Sequence, residues 1–184
     1  MPTHASGQLL LGFGGIDGIQ TPVTVDTGAS GSAWTIAQDQ ITGITGVVFW
    51  MRATTAAHAL TLIPGVTGER ANFRVVAISG AGDPSWTFAL SAAGGATNAD
   101  PPNHAAPGAA KNLWIACRAN DAQIANTGYP ANYTQGQYDI SATSAAGASI
   151  SWAERELEAA SDDPSAYTTA TEQWVAATIV VPPA

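Results

Sequence analysis

Four blocks of this 184-residue sequence recur in the same order about a hundred residues further on. QLLLGFGGIDG, from residue 8, lies over KNLWIACRAND, from residue 111. SAWTIAQ, from residue 32, lies over ANYTQGQ, from residue 131. GVVFWMR, from residue 46, lies over ASISWAE, from residue 148, and sets Trp50 on Trp152. ANFRVVAISG, from residue 71, lies over EQWVAATIVV, from residue 172, and sets Phe73 on Trp174. Solenoid units repeat every 20–50 residues or so, so a period this long describes two related halves of one fold.

The runs inside those halves read as strands. Residues 9–16, 46–53, 72–79, 86–90, 113–119, 150–157 and 173–181 are short and rich in Val, Ile, Thr and aromatics. Turn signals such as Asp17-Gly18, Pro64-Gly65, Asp83-Pro84 and Asp163-Pro164 punctuate them. WAERELEAA, at 152–160, contains good helix formers. The same residues also alternate, and the repeat lays them over a segment with strand composition, so a strand is expected. The expected fold is all-β: a β-sandwich, jelly-roll-like, of two related halves of about 100 residues. Residues 1–80 form the first half, 81–107 a connecting segment with one short strand, and 108–184 the second half, within one compact domain. The candidate core is Leu9, Leu11, Phe13, Val48, Phe49, Phe73, Val75, Trp114, Trp152, Trp174 and Ile179.

Charge narrows the function classes. Only 11% of residues are charged, against roughly 25% in ordinary globular chains. A hydrophobic fraction of 46% and six tryptophans argue against disorder. Six Lys+Arg against fourteen Asp+Glu is a poor footprint for nucleic acid, so no nucleic-acid partner is expected. No apolar run approaches the roughly 18 residues of a membrane helix, and no membrane partner is expected. MPTHASGQ lacks a charged n-region and an apolar h-region, so export by a cleaved signal is not expected. A single cysteine gives no internal disulfide framework and no multi-cysteine zinc site.

Candidate chemistry is sparse. His4, His58 and His104 are widely spaced, fit no metal-ligand motif and read as surface-loop residues, although His4 and His104 each precede a half and could meet. Cys117 lies inside LWIACRA and reads as a buried, inert thiol, with Arg118 on the opposite strand face. Glu154, Glu156 and Glu158 share a strand face; they read as a solvated acidic edge, with cation binding or a partner salt-bridge surface as alternatives. Arg155 points the other way, placed to pair across a sheet. The glycines of LLLGFGGIDG precede no helix, so they read as close packing or a bulge, not a phosphate loop. Trp34, Trp86, Tyr129, Tyr133 and Tyr138 lie beside turns, where packing, protein contact or stacking on sugar rings are all open. No catalytic residue, metal ligand or cofactor is expected.

HASGQLLLGFGGIDG, the Trp34-Thr35 pair, DPPNHAAPGAAKNLWIA, YPANYTQGQ and DDPSAYTTATEQWVAATIVVPP together resemble a pattern found in two-repeat β-sandwich proteins of tailed phages and prophages. The likeness spans nearly the whole chain, although Gln8 stands where an acidic residue is commoner. It implies a virion or virion-associated protein and carries over no catalytic residue. The leading expectation is a capsid decoration (cement) protein: a homo-oligomer on the outside of the assembled shell, bound to the major capsid protein or another virion protein. The alternative is a tail, spike or fibre component that binds a host-surface glycan.

Overall fold

The computed structural model describes residues 1–19, 24–26, 34–56, 58, 60–63, 65, 69–91, 98–141 and 147–184; for residues 24–26, 62 and 135 it describes the backbone alone. Residues 32 and 33 of the second repeat block, Pro64 of an expected turn and residues 92–97 of the connecting segment lie outside this set.

The described residues hold fifteen strands and no helix. In the first half these are β1 (Leu9–Asp17), β2 (Thr24–Asp26), β3 (Thr35–Ile41), β4 (Ile44–Arg52), β5 (Thr61–Ile63) and β6 (Ala71–Ile78). β7 (Ser85–Leu90) and β8 (His104–Ala105) follow. The second half holds β9 (Lys111–Asp121), β10 (Asn126–Gly128), β11 (Thr134–Ile140), β12 (Ala148–Glu158), β13 (Ser161–Asp162), β14 (Thr168–Thr169) and β15 (Trp174–Val181). WAERELEAA is therefore strand through Glu158. All seven expected runs became strands. Two longer strands, β3 and β11, were not among them. Both lie at sheet margins, and their TIAQDQI and TQGQYDI lack an apolar alternation.

The strands form a β-sandwich. One sheet has the order β3-β4-β1-β6 and the other β11-β12-β9-β15-β7, with every ladder antiparallel. β1 lies over β9 and β12, β4 over β9 and β15, β6 over β12 and β11, and β3 over β15 and β7. Small ladders flank the sheets in corresponding places, β2 with β5 and β10 with β14.

The register states how the two sheets correspond. Leu11 pairs with Trp50 on one side and Val76 on the other. Cys117 pairs with Trp152 and Ala177. Trp50–Trp152 and Val76–Ala177 are matches the sequence blocks already make, so the ladders set Leu11 against Cys117. The sequence blocks instead set Leu11 against Trp114, three residues short. An odd slip exchanges the two faces of a strand.

Three apolar layers result. Leu9, Leu11, Phe13, Val48, Ile115, Cys117, Trp152, Val175 and Ile179 fill the space between the sheets. Phe49 and Val47 with Ile16 cover the outside of the first sheet, as does Leu10 with Met51. Trp114, Tyr133, Tyr167 and Trp174 cover the outside of the second. Each such large side chain contributes roughly 1.5–3 kcal/mol by leaving water. Phe73 departs from the expected core. It sits on marginal strand β6 and is 37% exposed, its ring edge-on to Phe49 at 6.2 Å. Val75 is half-buried against the outer layer.

Candidate functional site

Most chemistry-bearing side chains are committed to holding the frame. Cys117 is fully buried in the inner layer, and burial pushes its thiol well above the usual range. His4 and His58 are not surface-loop residues: each is 7% exposed, and their rings stack at 5.3 Å. His58 Nε2 accepts the Thr54 and Thr55 amides at 3.2 and 3.4 Å. His4 therefore meets His58, not His104. His104 lies between Ser85 Oγ at 2.9 Å and Thr87 Oγ1 at 2.7 Å, and burial lowers its pKa. Among the described residues no three His, Cys, Asp or Glu side chains gather so as to hold a metal ion.

The five turn-side aromatics behave differently from one another. Tyr133 is 8% exposed, and its hydroxyl donates to Asp162, whose other oxygen receives Arg155 at 2.8 Å. The Arg155 guanidinium also lies 5.2 Å from the Tyr133 ring centre. This ring is an internal brace and offers no face to a partner. Trp34 packs edge-on to Phe49 at 5.5 Å, and Trp86 packs against the inner layer; both are half-buried. Tyr138 is half-buried beside Arg118. Tyr129, 37% exposed, lies over Gly136, where an added Cβ would sit 2.8–2.9 Å from its ring.

The acidic face begins inside the sheet at Glu154 and runs out onto a free edge at Glu156 and Glu158. β12 runs between β11 and β9. β11 ends opposite Glu154, so only residues beyond it, Glu156 and Glu158 included, are paired on one side alone. Glu154 Oε1 accepts the Trp152 indole N–H at 2.5 Å. Glu156 pairs with Lys111, and both are about two-thirds exposed, so the pair adds little stability. Beside them lies an open recess of about 190 Å³ bounded by Ile78, Gly80, Lys111, Leu113, Glu156 and Pro182. A second hollow runs along Leu113, Thr134, Glu154 and Arg155. Both are shallow and mixed in charge.

Two arrangements were not anticipated from sequence. Arg118 is completely buried on the outer face of the second sheet. Its guanidinium donates to Asn126 Oδ1 and the Ile124 carbonyl, each at 2.6 Å, and to Asn120 Oδ1. Tyr167 and Tyr138 lie 5.8 and 6.0 Å from it. Burial brings its pKa down to about 10 despite those rings, which leaves it charged. Strand alternation puts Arg118 opposite Cys117, but the segments that cover it, 124–128 and 167–169, carry no strong sequence signal. The second sets the Asp121 carboxyl, at the end of β9, among Asp17, Glu172 and Glu69, where burial first and then the Asp17 charge raise it to about 6.

No protein-family model, curated protein or solved structure matches the chain.

Proposed function

We propose that this protein is a structural component of a phage virion, a capsid decoration (cement) protein that binds the outside of the assembled shell as a homo-oligomer. The observation that carries the reading is the way reactive side chains are spent. Cys117 is core, His104 is held between two hydroxyls, and Tyr133, Asp162 and Arg155 brace one another. Shallow, mixed-charge recesses beside a weakly charged surface suit broad contact with neighbours better than capture of a small substrate. The shared strand order of the two sheets favours two related halves, as does the likeness to two-repeat phage proteins. A shell-binding module stabilises by mass action, since it binds the assembled state and not the free subunits.

The test is the copy number per major capsid subunit in purified particles, by quantitative mass spectrometry. A simple ratio supports decoration. A handful of copies per particle moves the protein to a tail or spike, and absence from particles overturns the reading. The glycan alternative rests on Tyr129, the most exposed of the five aromatics.

A further inference from the structure

We propose that the open end of β12 is a docking edge for an extended, basic segment of a partner protein, which adds there as a further strand and sets its cations against Glu154, Glu156 and Glu158. The edge and its charge are read from the fold; that the segment belongs to another virion protein rests on the decoration reading.

β12 runs on past its neighbour. Its pairing with β9 continues to Glu158, opposite Lys111, whereas its pairing with β11 stops at Thr134, opposite Glu154. Two side-chain bonds fix which way the backbone points beyond that place. Thr134 Oγ1 donates to the Glu154 carbonyl at 3.3 Å, so that carbonyl faces β11. The Trp114 indole N–H, from β9, donates to the Leu157 carbonyl at 3.2 Å, so that one faces β9. Hydrogen-bonding sides alternate from residue to residue along a strand. Glu156 and Glu158 therefore turn their N–H and C=O toward the open side, where an added strand would pair with them. A hollow of about 350 Å³, bounded by Leu113, Thr134, Glu154, Arg155 and Glu156, lies where β11 stops. Arg155, in its wall, keeps its Nε buried without an acceptor, an unmet donor beside the place the added strand would occupy.

Charge decides what kind of strand fits. The three glutamates share one face of β12 at a spacing of about 7 Å, two residues' rise. Among the ion pairs of the described residues only Lys111 reaches this row, at Glu156, and Glu158 belongs to none. A second copy of the chain pairing edge to edge would bring glutamates against glutamates on one face, which is unfavourable. A strand with Lys or Arg at every second residue would instead set a cation opposite each carboxylate. The row thus refuses the chain's own edge and accepts a basic one, and the net charge of −8 draws such a segment in.

The test is a titration of the intact protein with a short capped peptide that alternates lysine and valine, followed by amide shifts and amide exchange in NMR. Binding should saturate, and exchange at the Glu156 and Glu158 amides should slow several-fold. The matching glutamate–valine peptide should not bind. The double variant E156K/E158K, altered only at exposed side chains, should bind the lysine peptide about tenfold more weakly or worse and take up the glutamate peptide instead. No binding of the lysine peptide, or binding without slowed exchange at these two amides, overturns the docking edge and leaves a strand end merely guarded against pairing. Equal affinity of wild type and variant also overturns it. If the variant does not fold, salt decides in the wild type, because an affinity that does not fall with ionic strength removes the charge pairing. No particle enters these measurements, so the edge can fail while the copy number still supports decoration, and the reverse.

Discussion

Gly15 stands directly across the β1–β4 ladder from Gly46, and both face the second sheet where Ile150, Ala119 and Val175 form a continuous row. A Cβ on Gly15 would lie 2.8 Å from Ala119 Cβ, and one on Gly46 would lie 2.5 Å from Val175 Cγ1. The two missing side chains are the hollow into which that row fits. Gly46→Val should therefore overpack the inner layer and cost about 1–3 kcal/mol. Urea unfolding measures it. A loss of only a few tenths would mean that the sheets can separate locally at little cost.

Tyr133 is the only described hydroxyl donor to Asp162, a carboxylate 7% exposed that also holds Arg155. Tyr133→Phe keeps the ring and removes one bond to a charged group, with an expected loss of about 1.5–3 kcal/mol. Unfolding midpoints give the value. An unchanged midpoint would show that Arg155 alone satisfies the carboxylate.

Cys117 should be inert in the native state, since it is buried and its thiol is held protonated. Labelling by a thiol reagent should follow global unfolding, accelerating with urea in step with the loss of tertiary signal. Rapid labelling in buffer would show that the inner layer opens locally.

His104 has a pH effect opposite in sign to that of the Asp121 carboxyl. Burial lowers its folded pKa below the ordinary 6.5, so the folded state prefers the neutral ring. Its contribution is complete above pH 6.5 and is lost as pH falls through the lowered folded value. His104→Gln, which can still bond Ser85 and Thr87, should remove this acid-side loss. The measurement is the difference in unfolding free energy between the two proteins against pH. A difference that does not change with pH would show that the ring does not titrate on unfolding.

What the sequence revealed and what it hid have physical reasons. Strands β1, β4, β9, β12 and β15 were legible because they build the sheet centres, where runs such as VVFW and WIAC must be apolar, and marginal β6 and β7 because ANFRVVAI and SWTFAL keep Val, Ile and aromatic residues. Strands β3 and β11 were hidden because marginal strands need less burial and carry Gln and Asp. The proposed repeat sets Trp50 on Trp152, and the two hold like positions in their ladders, opposite Leu11 and Cys117. Its first block slipped because matching Leu10 to Leu113 looks sound in letters, yet Leu10 faces outward and Leu113 inward. Phe73 looked like core because ANFRVVAI is apolar in letters, yet no residue of β6 is fully buried. His4 and His58 looked exposed because only tertiary packing brings their rings together. Nothing local to Arg118 announces the asparagines and tyrosines that surround it.

Neither sheet borrows a strand from the other half. Every ladder of the first sheet lies within residues 9–78 and every ladder of the second within 85–181. Among the described residues the isolated Ala81–Pro183 bridge, side-chain contacts such as Arg74–Asp139 and the apolar inner layer span them. A single backbone cut between Ile78 and Ser85 would thus leave both hydrogen-bond networks whole. The two fragments would be held by their shared apolar layer and a few polar contacts, and co-expressed pieces should find each other and reassemble without a covalent hinge.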